Sequence, residues 1–315
     1  MYLGIEIGGT KLQLGLGPGD GTIIGLWRGQ VDPAAGGEGI RRQIVAALPE
    51  LLRSARVAPT RLKAVGIGFG GPVDDTRQRI IKSHQVAGWD DFPIAAWLGD
   101  ALKVPVFLGN DADVAGLAEA LHGAGRGQSP LFYLTIGSGI GGGLIINGDI
   151  YRAAGRGAAE IGHLRIFDRV TSRFISLESI ASGWSIGREA RDQLKTGKGA
   201  QSLLRAHGSS SVTAQHVGEA ARKGDPFAVA ILSRVIDALA EALTSVITLL
   251  CPRRIVIGGG VGLIGEEAFF TPLRQAVAER GFPPFAGLTE IVPAALGEAV
   301  VIHGALALAK TRADR

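Results

Sequence analysis

The chain opens with an apolar run, Tyr2-Leu3-Gly4-Ile5-Glu6-Ile7, that stops at Gly8-Gly9-Thr10. Lys11–Gly17 then alternates Leu with polar or small residues. This pattern predicts two strands joined by a tight turn. A Gly-, Pro- and Asp-rich turn at 17–21 leads to a third predicted strand near 22–28. At 39–56 the rhythm changes. Ile40, Ile44, Ala47, Leu48, Leu51 and Leu52 recur at helical spacing and share one face. An apolar strand at 62–69 runs into Gly70-Gly71-Pro72, a short helix is expected at 92–102, and a strand at 104–108 precedes Asn110-Asp111 and a helix at 112–122.

The second half repeats the theme. A strand at 131–136 enters a glycine loop at 137–143, followed by a strand at 144–146 and the hairpin signal Asn147-Gly148-Asp149. Helices are expected at 178–195, 212–223 and 226–250, the last almost wholly apolar and therefore buried. A strand at 254–257 runs into Gly258-Gly259-Gly260, and a helix at 268–280, a strand at 289–293 and a helix at 297–310 complete the chain. Each half thus holds an apolar strand that ends in glycines. This predicts two α/β domains of related design with a cleft between them.

Composition narrows the function classes. A chain of 315 residues is expected to form about two domains. Its 46% apolar and 20% charged residues supply a packed core and argue against disorder. The net charge of +4 comes without any basic run or basic stripe interleaved with aromatics, so nucleic acid is not an expected partner. The single cysteine, Cys251, excludes an intrachain disulfide and a cysteine-based zinc cluster, and reads as an inert thiol. The N-terminus lacks the basic and apolar regions of a signal peptide, and the apolar stretch at 130–148 is broken by glycines. A soluble cytoplasmic protein with no membrane partner is expected.

The chain has 48 glycines, and they cluster at strand ends: Gly8-Gly9-Thr10-Lys11, Gly70-Gly71-Pro72, 137–143 and 258–262. Such loops let backbone N–H groups point at phosphate oxygens. Positions 137–142 and 260–265 both match G-x-G-x-x-G. Neither has the context of a dinucleotide fingerprint: Glu279 lies in a predicted helix and Glu160 in Ala-Glu-Ile-Gly-His. No Gly-x4-Gly-Lys-Ser/Thr loop is present. Asn110-Asp111 reads locally as a helix cap, yet it stands at the carboxyl end of an apolar strand, where open α/β sheets bind ligands. A carboxylate there can take a proton from a hydroxyl during phosphoryl transfer. Glu160 and His163, closely spaced in a small, apolar segment, suit hydroxyl recognition.

Taken in order, Glu-Ile-Gly-Gly-Thr-Lys, Asn-Asp before a helix, Gly-Ser-Gly-Ile-Gly-Gly-Gly, Glu-Ile-Gly-His and a later Leu-Glu resemble the ROK family of sugar kinases and sugar-responsive repressors. The resemblance covers residues 3 to about 308 and is most specific at 134–163. It implies an actin/hexokinase-like (ribonuclease H-like) α/β fold of two domains with a central cleft. It also implies a small domain at 1–120, completed by the C-terminal helix at 297–315, and a large domain at 121–296. Within this resemblance Asp111 matches the catalytic base that deprotonates a sugar hydroxyl, and Gly71, Asn110, Glu160, His163 and Glu178 match the sugar-binding positions. Gly8, Gly9, Thr10 and Lys11 match the first phosphate loop, Gly137, Ser138 and Gly139 the second, and Gly258, Gly259 and Gly260 the turn beside the adenosine. Gln85 stands where the family often has Asn.

The sequence departs from the family pattern twice. The usual first-strand Asp is Glu6, which keeps a carboxylate for Mg²⁺ or its waters one methylene further out. The three cysteines that join the His in a structural zinc site fall on Arg169, Thr171 and Ser176, so no zinc is expected and the 167–178 loop is expected to be held by packing alone. The resemblance implies an ATP- and Mg²⁺-dependent hexose kinase, glucokinase-like and homodimeric, acting on glucose O6. N-acetylmannosamine, N-acetylglucosamine, fructose and allose remain open as substrates, and polyphosphate as donor. The alternative is a catalytically weak sugar or nucleotide sensor or regulator.

Overall fold

The computed structural model describes residues 1–83, 85–154 and 158–315. The first stretch of chain forms β1 (Tyr2–Ile7), β2 (Lys11–Gly17), β3 (Gly25–Gln30), α1 (Gly36–Ser54), β4 (Ala64–Phe69), β5 (Val73–Asp74), β6 (Arg79–Ile80), α2 (Ile94–Leu102), β7 (Val106–Asn110) and α3 (Asp111–His122). There follow β8 (Leu131–Ile136), β9 (Ile140–Ile146), β10 (Asp149–Ile150), β11 (Arg165–Asp168), β12 (Arg173–Ser176), α4 (Glu178–Ala181), α5 (Gly183–Lys195), α6 (Ala214–Arg222) and α7 (Pro226–Leu250). The chain ends with β13 (Arg254–Gly258), α8 (Thr271–Arg280), β14 (Glu290–Pro293) and α9 (Val300–Ala313). No described helix is long and apolar enough to cross a membrane.

Two compact units result. Unit 1 comprises Met1–Gln128, Gly143–Ala158 and Ala295–Arg315, and unit 2 comprises Ser129–Gly142 and Ala159–Ala294. Residues 143–158, expected with the large domain, therefore group with unit 1.

The sheet of unit 1 has the order β3-β2-β1-β4-β7, with β1, β4 and β7 parallel and β1, β2 and β3 an antiparallel meander. The strands β1 and β4 are buried throughout. α1 covers one face with the apolar stripe anticipated from its periodicity. On the other, α9 packs against β1, β4 and α3. That approach depends on absent side chains: a Cβ on Gly66 would collide with the Ala305 carbonyl, and one on Gly304 with that of Val114. In the second sheet, β8, β13 and β14 run parallel, with the register Ile257↔Leu134 and Gly258↔Thr135.

Five segments differ from expectation. The loop expected at 137–143 is shorter, because Gly141, Gly142 and Gly143 lie within β9. They are glycines because backbone comes close: a Cβ on Gly142 would strike the Ala159 carbonyl, and one on Gly143 would stand 3.0 Å from the Ala112 carbonyl. The helix expected over 178–195 breaks at Ser182, which is extended (φ −68°, ψ 154°) and caps α5 by accepting from Ser185 N at 3.2 Å. The third strand begins only at Gly25. The hairpins β5–β6 and β11–β12 had no sequence counterpart.

Candidate functional site

In unit 1 the turn after β1 closes with Gly8 N donating to the Lys11 carbonyl at 2.9 Å. Gln85 folds over this turn, and its amide fills the space that a side chain on Gly9 would need. Strand register sets Glu6 directly opposite Gln13. Gln13 Nε2 donates to Glu6 Oε2 at 2.8 Å, and Lys11 Nζ pairs with Glu6 Oε1 at 2.9 Å. Burial pushes the Glu6 carboxyl up, and Lys11 and Gln13 only partly offset it. Both carboxylate oxygens are thus engaged within the protein. The residues present suit a water of a hydrated Mg²⁺ better than direct coordination of the ion.

At the carboxyl end of β7, Asn110 caps α3: its Oδ1 accepts from Ala112 N at 2.9 Å, while its Nδ2 donates to the Gly71 carbonyl at 3.1 Å. Asp111 opens the helix, with Oδ1 accepting from Ala112 N at 2.8 Å. Its Oδ2 faces Gly70, where a Cβ would stand 3.3 Å from that oxygen and 3.5 Å from Gly8 Cα. The capping role and a position beside two glycine turns therefore coexist. Glu6, Gly8, Gly9, Thr10, Lys11, Gly71, Asn110 and Asp111 all lie at strand ends of this one sheet or in the turns that leave them.

Unit 2 contains a cavity of about 690 Å³. Gly137, Ser138 and Gly260 line it, so it joins the ends of β8 and β13. No atom lies within 4 Å of a Cβ built on Gly137 or Gly260, so neither is glycine for packing reasons. The other predicted glycines serve the fold. Gly258 makes room for the Tyr133 hydroxyl, Gly259 (φ 82°) lies on the Ile136 backbone, and Gly139 yields to Glu178, whose Oε2 would be 2.5 Å from its Cβ. The N-termini of α5 and α6 open on the cavity through Gly183, Trp184, Thr213 and Ala214. Two helix N-termini and two glycine turns give a place where backbone N–H groups and helix dipoles favour an anion. Trp184, Arg191, Gln215 and Glu219 on the wall were missed from sequence; the Ser182-Gly183 break and the amphipathic 212–223 stretch were the available signals.

Glu160 and His163 flank a short 3₁₀ turn, Ile161–His163, and both are exposed. Glu178 opens α4, and its Oε2 accepts from Ile140 N at 2.7 Å, so it touches the second glycine turn directly. The β11–β12 hairpin lies between them. Leu177 N donates to the Leu164 carbonyl at 2.9 Å, bringing the backbone at His163 and Glu178 together at its base. The expectation that packing alone holds this loop is wrong. At its tip Asp168, 3% exposed, accepts from Thr171 Oγ1 (2.6 Å), Thr171 N (3.2 Å) and Val170 N (3.3 Å), and pairs with Arg234 of α7 at 3.0 Å. Burial by itself would raise this carboxyl; the Thr171 hydroxyl and the Arg234 guanidinium outweigh it and hold it below the ordinary value. Of the other positions aligned with the family's cysteines, Ser176 bonds Ser179 at 2.6 Å and Arg169 is exposed.

Known proteins resemble this chain over its full length. A family model described as the ROK family matches residues 2–312. A glucokinase of Thermotoga maritima is 33% identical over 314 residues, 98% of this chain and 97% of that protein. A glucokinase of Halalkalibacterium halodurans is 31% identical, covering 96% and 93%. Among solved structures, a ROK family glucokinase from Streptomyces griseus in complex with glucose and AMPPNP superposes with TM-score 0.81 at 29% identity, over 98% of this chain and 99% of that one.

Proposed function

The chain belongs to the ROK family and is a sugar kinase, and on that premise we propose that it transfers phosphate from ATP to a hexose, glucose O6 first, with Asp111 as general base. The observation that carries this reading is the unit 2 cavity where Gly137, Ser138 and Gly260 meet the N-termini of α5 and α6. Its volume and its anion-favouring lining suit a nucleoside triphosphate.

Phosphoryl transfer demands positioning and charge neutralisation more than covalent chemistry. In this reading Asp111 Oδ2, on the Gly70 side, accepts the hydroxyl proton as the sugar oxygen bonds to phosphorus and ADP leaves. The Asn110 cap and the bond from Ala112 N fix the Asp111 rotamer. Glu160, His163 and Glu178 hold other hydroxyls, so a sugar lacking one leaves a polar partner unsatisfied. Mg²⁺, when bound, neutralises charge on the phosphate oxygens, and Glu6 holds one of its waters. Lys11 pairs with Glu6 and partly offsets the burial that pushes its carboxyl up. The proposal includes a cytoplasmic homodimer, which light scattering of the purified protein checks.

The test is ADP release with Mg-ATP against glucose, mannose, fructose, allose, N-acetylglucosamine and N-acetylmannosamine, with Asp111→Asn alongside. Turnover with one sugar, abolished in the variant, establishes the reading and names the substrate. Silence with ATP but turnover with polyphosphate replaces the donor. Sugar binding without any turnover replaces the kinase with a sensor.

A further inference from the structure

The β11–β12 hairpin has little to hold it in place. A two-stranded ribbon is marginal by itself in water. Here Phe167, Val170 and Phe174 are exposed, and Ile166 is the buried apolar anchor. The other buried side chain is Asp168, at the last position of β11. Its carboxylate closes the 168–171 turn and pairs with Arg234, 66 residues later on α7. Arg234 also pairs with Glu189 of α5. The hairpin is therefore tied down at its tip by a guanidinium fixed between two carboxylates.

The base of the same hairpin carries groups assigned to the sugar. Leu164 and Leu177 form its closing rung, His163 immediately precedes that rung, and Glu178 immediately follows it. Only three residues lie between Leu164 and Asp168, so a stiff ribbon links tip to base. Glu178 has its own tether to Ile140 N; His163 is exposed. We propose that Asp168 and Arg234 are positioning residues whose ion pair sets the angle of this hairpin, and with it the placement of His163 and Glu178 and the affinity for sugar. The inference rests on the reading of these two residues as sugar ligands.

Two mild variants test it. Asp168→Asn leaves Arg234 paired with Glu189, so no buried cation is stranded. Arg234→Lys keeps the charge but loses the fork that bonds through both Nε and a terminal nitrogen. Calorimetric titration well below the unfolding midpoint, with glucose and separately with AMPPNP, reads the two ligands apart. Both variants are expected to bind glucose about tenfold more weakly, because small displacements of positioning groups are costly. AMPPNP affinity is expected to change less than about twofold, since its cavity wall is untouched. Unchanged glucose affinity in both variants overturns the inference. So does an equal loss for both ligands, which would mean general loosening. A wild-type protein that binds none of the hexose panel overturns the sugar assignment, and this inference with it.

Discussion

Glu6 in unit 1 and Asp168 in unit 2 are both carboxylates withdrawn from water, at 8% and 3% exposure, and the protein treats them oppositely. Asp168 accepts from a hydroxyl and two amides and faces a guanidinium, and its acidity is strengthened. Glu6 has one ammonium and one amide side chain, and its acidity is weakened. Elementary electrostatics explains the divergence. Burial penalises the charged form in each case, and the number and quality of donors decides whether that penalty is overcome. A carboxylate that has all its partners serves structure. Glu6 has both oxygens engaged yet its burial is not fully offset, and its strand leads into the first glycine turn.

Asp111, which opens a helix at the carboxyl end of a strand, calibrates the comparison and carries the largest expected effect. Asp111→Asn should lower kcat by about 100- to 10,000-fold, the usual worth of a general base, with an unfolding midpoint near wild type. A variant that keeps a tenth of the wild-type rate would remove Asp111 from that role. Next comes Asp168→Ala, which strips the hairpin turn of its acceptor and leaves Arg234 with only Glu189. It should cost about 1–3 kcal/mol in urea unfolding, because the Thr171 hydroxyl and the turn amides lose their acceptor. Glu6→Gln should do the reverse. Stability should stay within about 1 kcal/mol of wild type or rise, while kcat at limiting Mg²⁺ falls about tenfold. If Glu6→Gln proves as destabilising as Asp168→Ala, the contrast between the two carboxylates fails.

The smallest effect is in pH dependence, where the two groups should have opposite signs. Asp168 has a folded-state pKa below its ordinary 3.8. Its stabilisation is present above that ordinary value and is lost as pH falls through the lower folded value. Glu6 has a folded-state pKa above its ordinary 4.5. Its contribution is full below 4.5 and is lost as pH rises through the folded value, so its ionisation opposes folding. Unfolding free energies should therefore fall less steeply below the ordinary 3.8 in Asp168→Asn and less steeply above the ordinary 4.5 in Glu6→Gln.

What could be read from sequence was whatever repeats locally. Strands β1, β2 and β8 and helix α7 announce themselves through periodicity and were placed to the residue. The β9–β10 turn did so through Asn147-Gly148, whose φ values of 53° and 77° are those such a hairpin requires. The glycine turns and Asn110-Asp111 stood out because strand-end glycines are chemically conspicuous. Which glycines would face open space was not visible, because the Tyr133 hydroxyl that claims Gly258 and the Glu178 carboxylate that claims Gly139 come from elsewhere in the chain. The β11–β12 hairpin escaped for the same reason: its anchor is one aspartate whose partner lies 66 residues away, and its strands lack an alternating stripe.

Helix α9 has a consequence for the order of assembly. Unit 1 is discontinuous: its sheet precedes unit 2 along the chain, and the helix that packs on β1, β4 and α3 follows it. During translation, Tyr2 and Ala64 must wait for Ile302, Leu306 and Ala309 while all of unit 2 is being made. Unit 2 lacks that constraint, since its chain is finished at Ala294. Unit 1 is thus begun before unit 2 and completed after it, and a nascent chain stalled before residue 300 leaves the glycine-lined face of its first sheet uncovered.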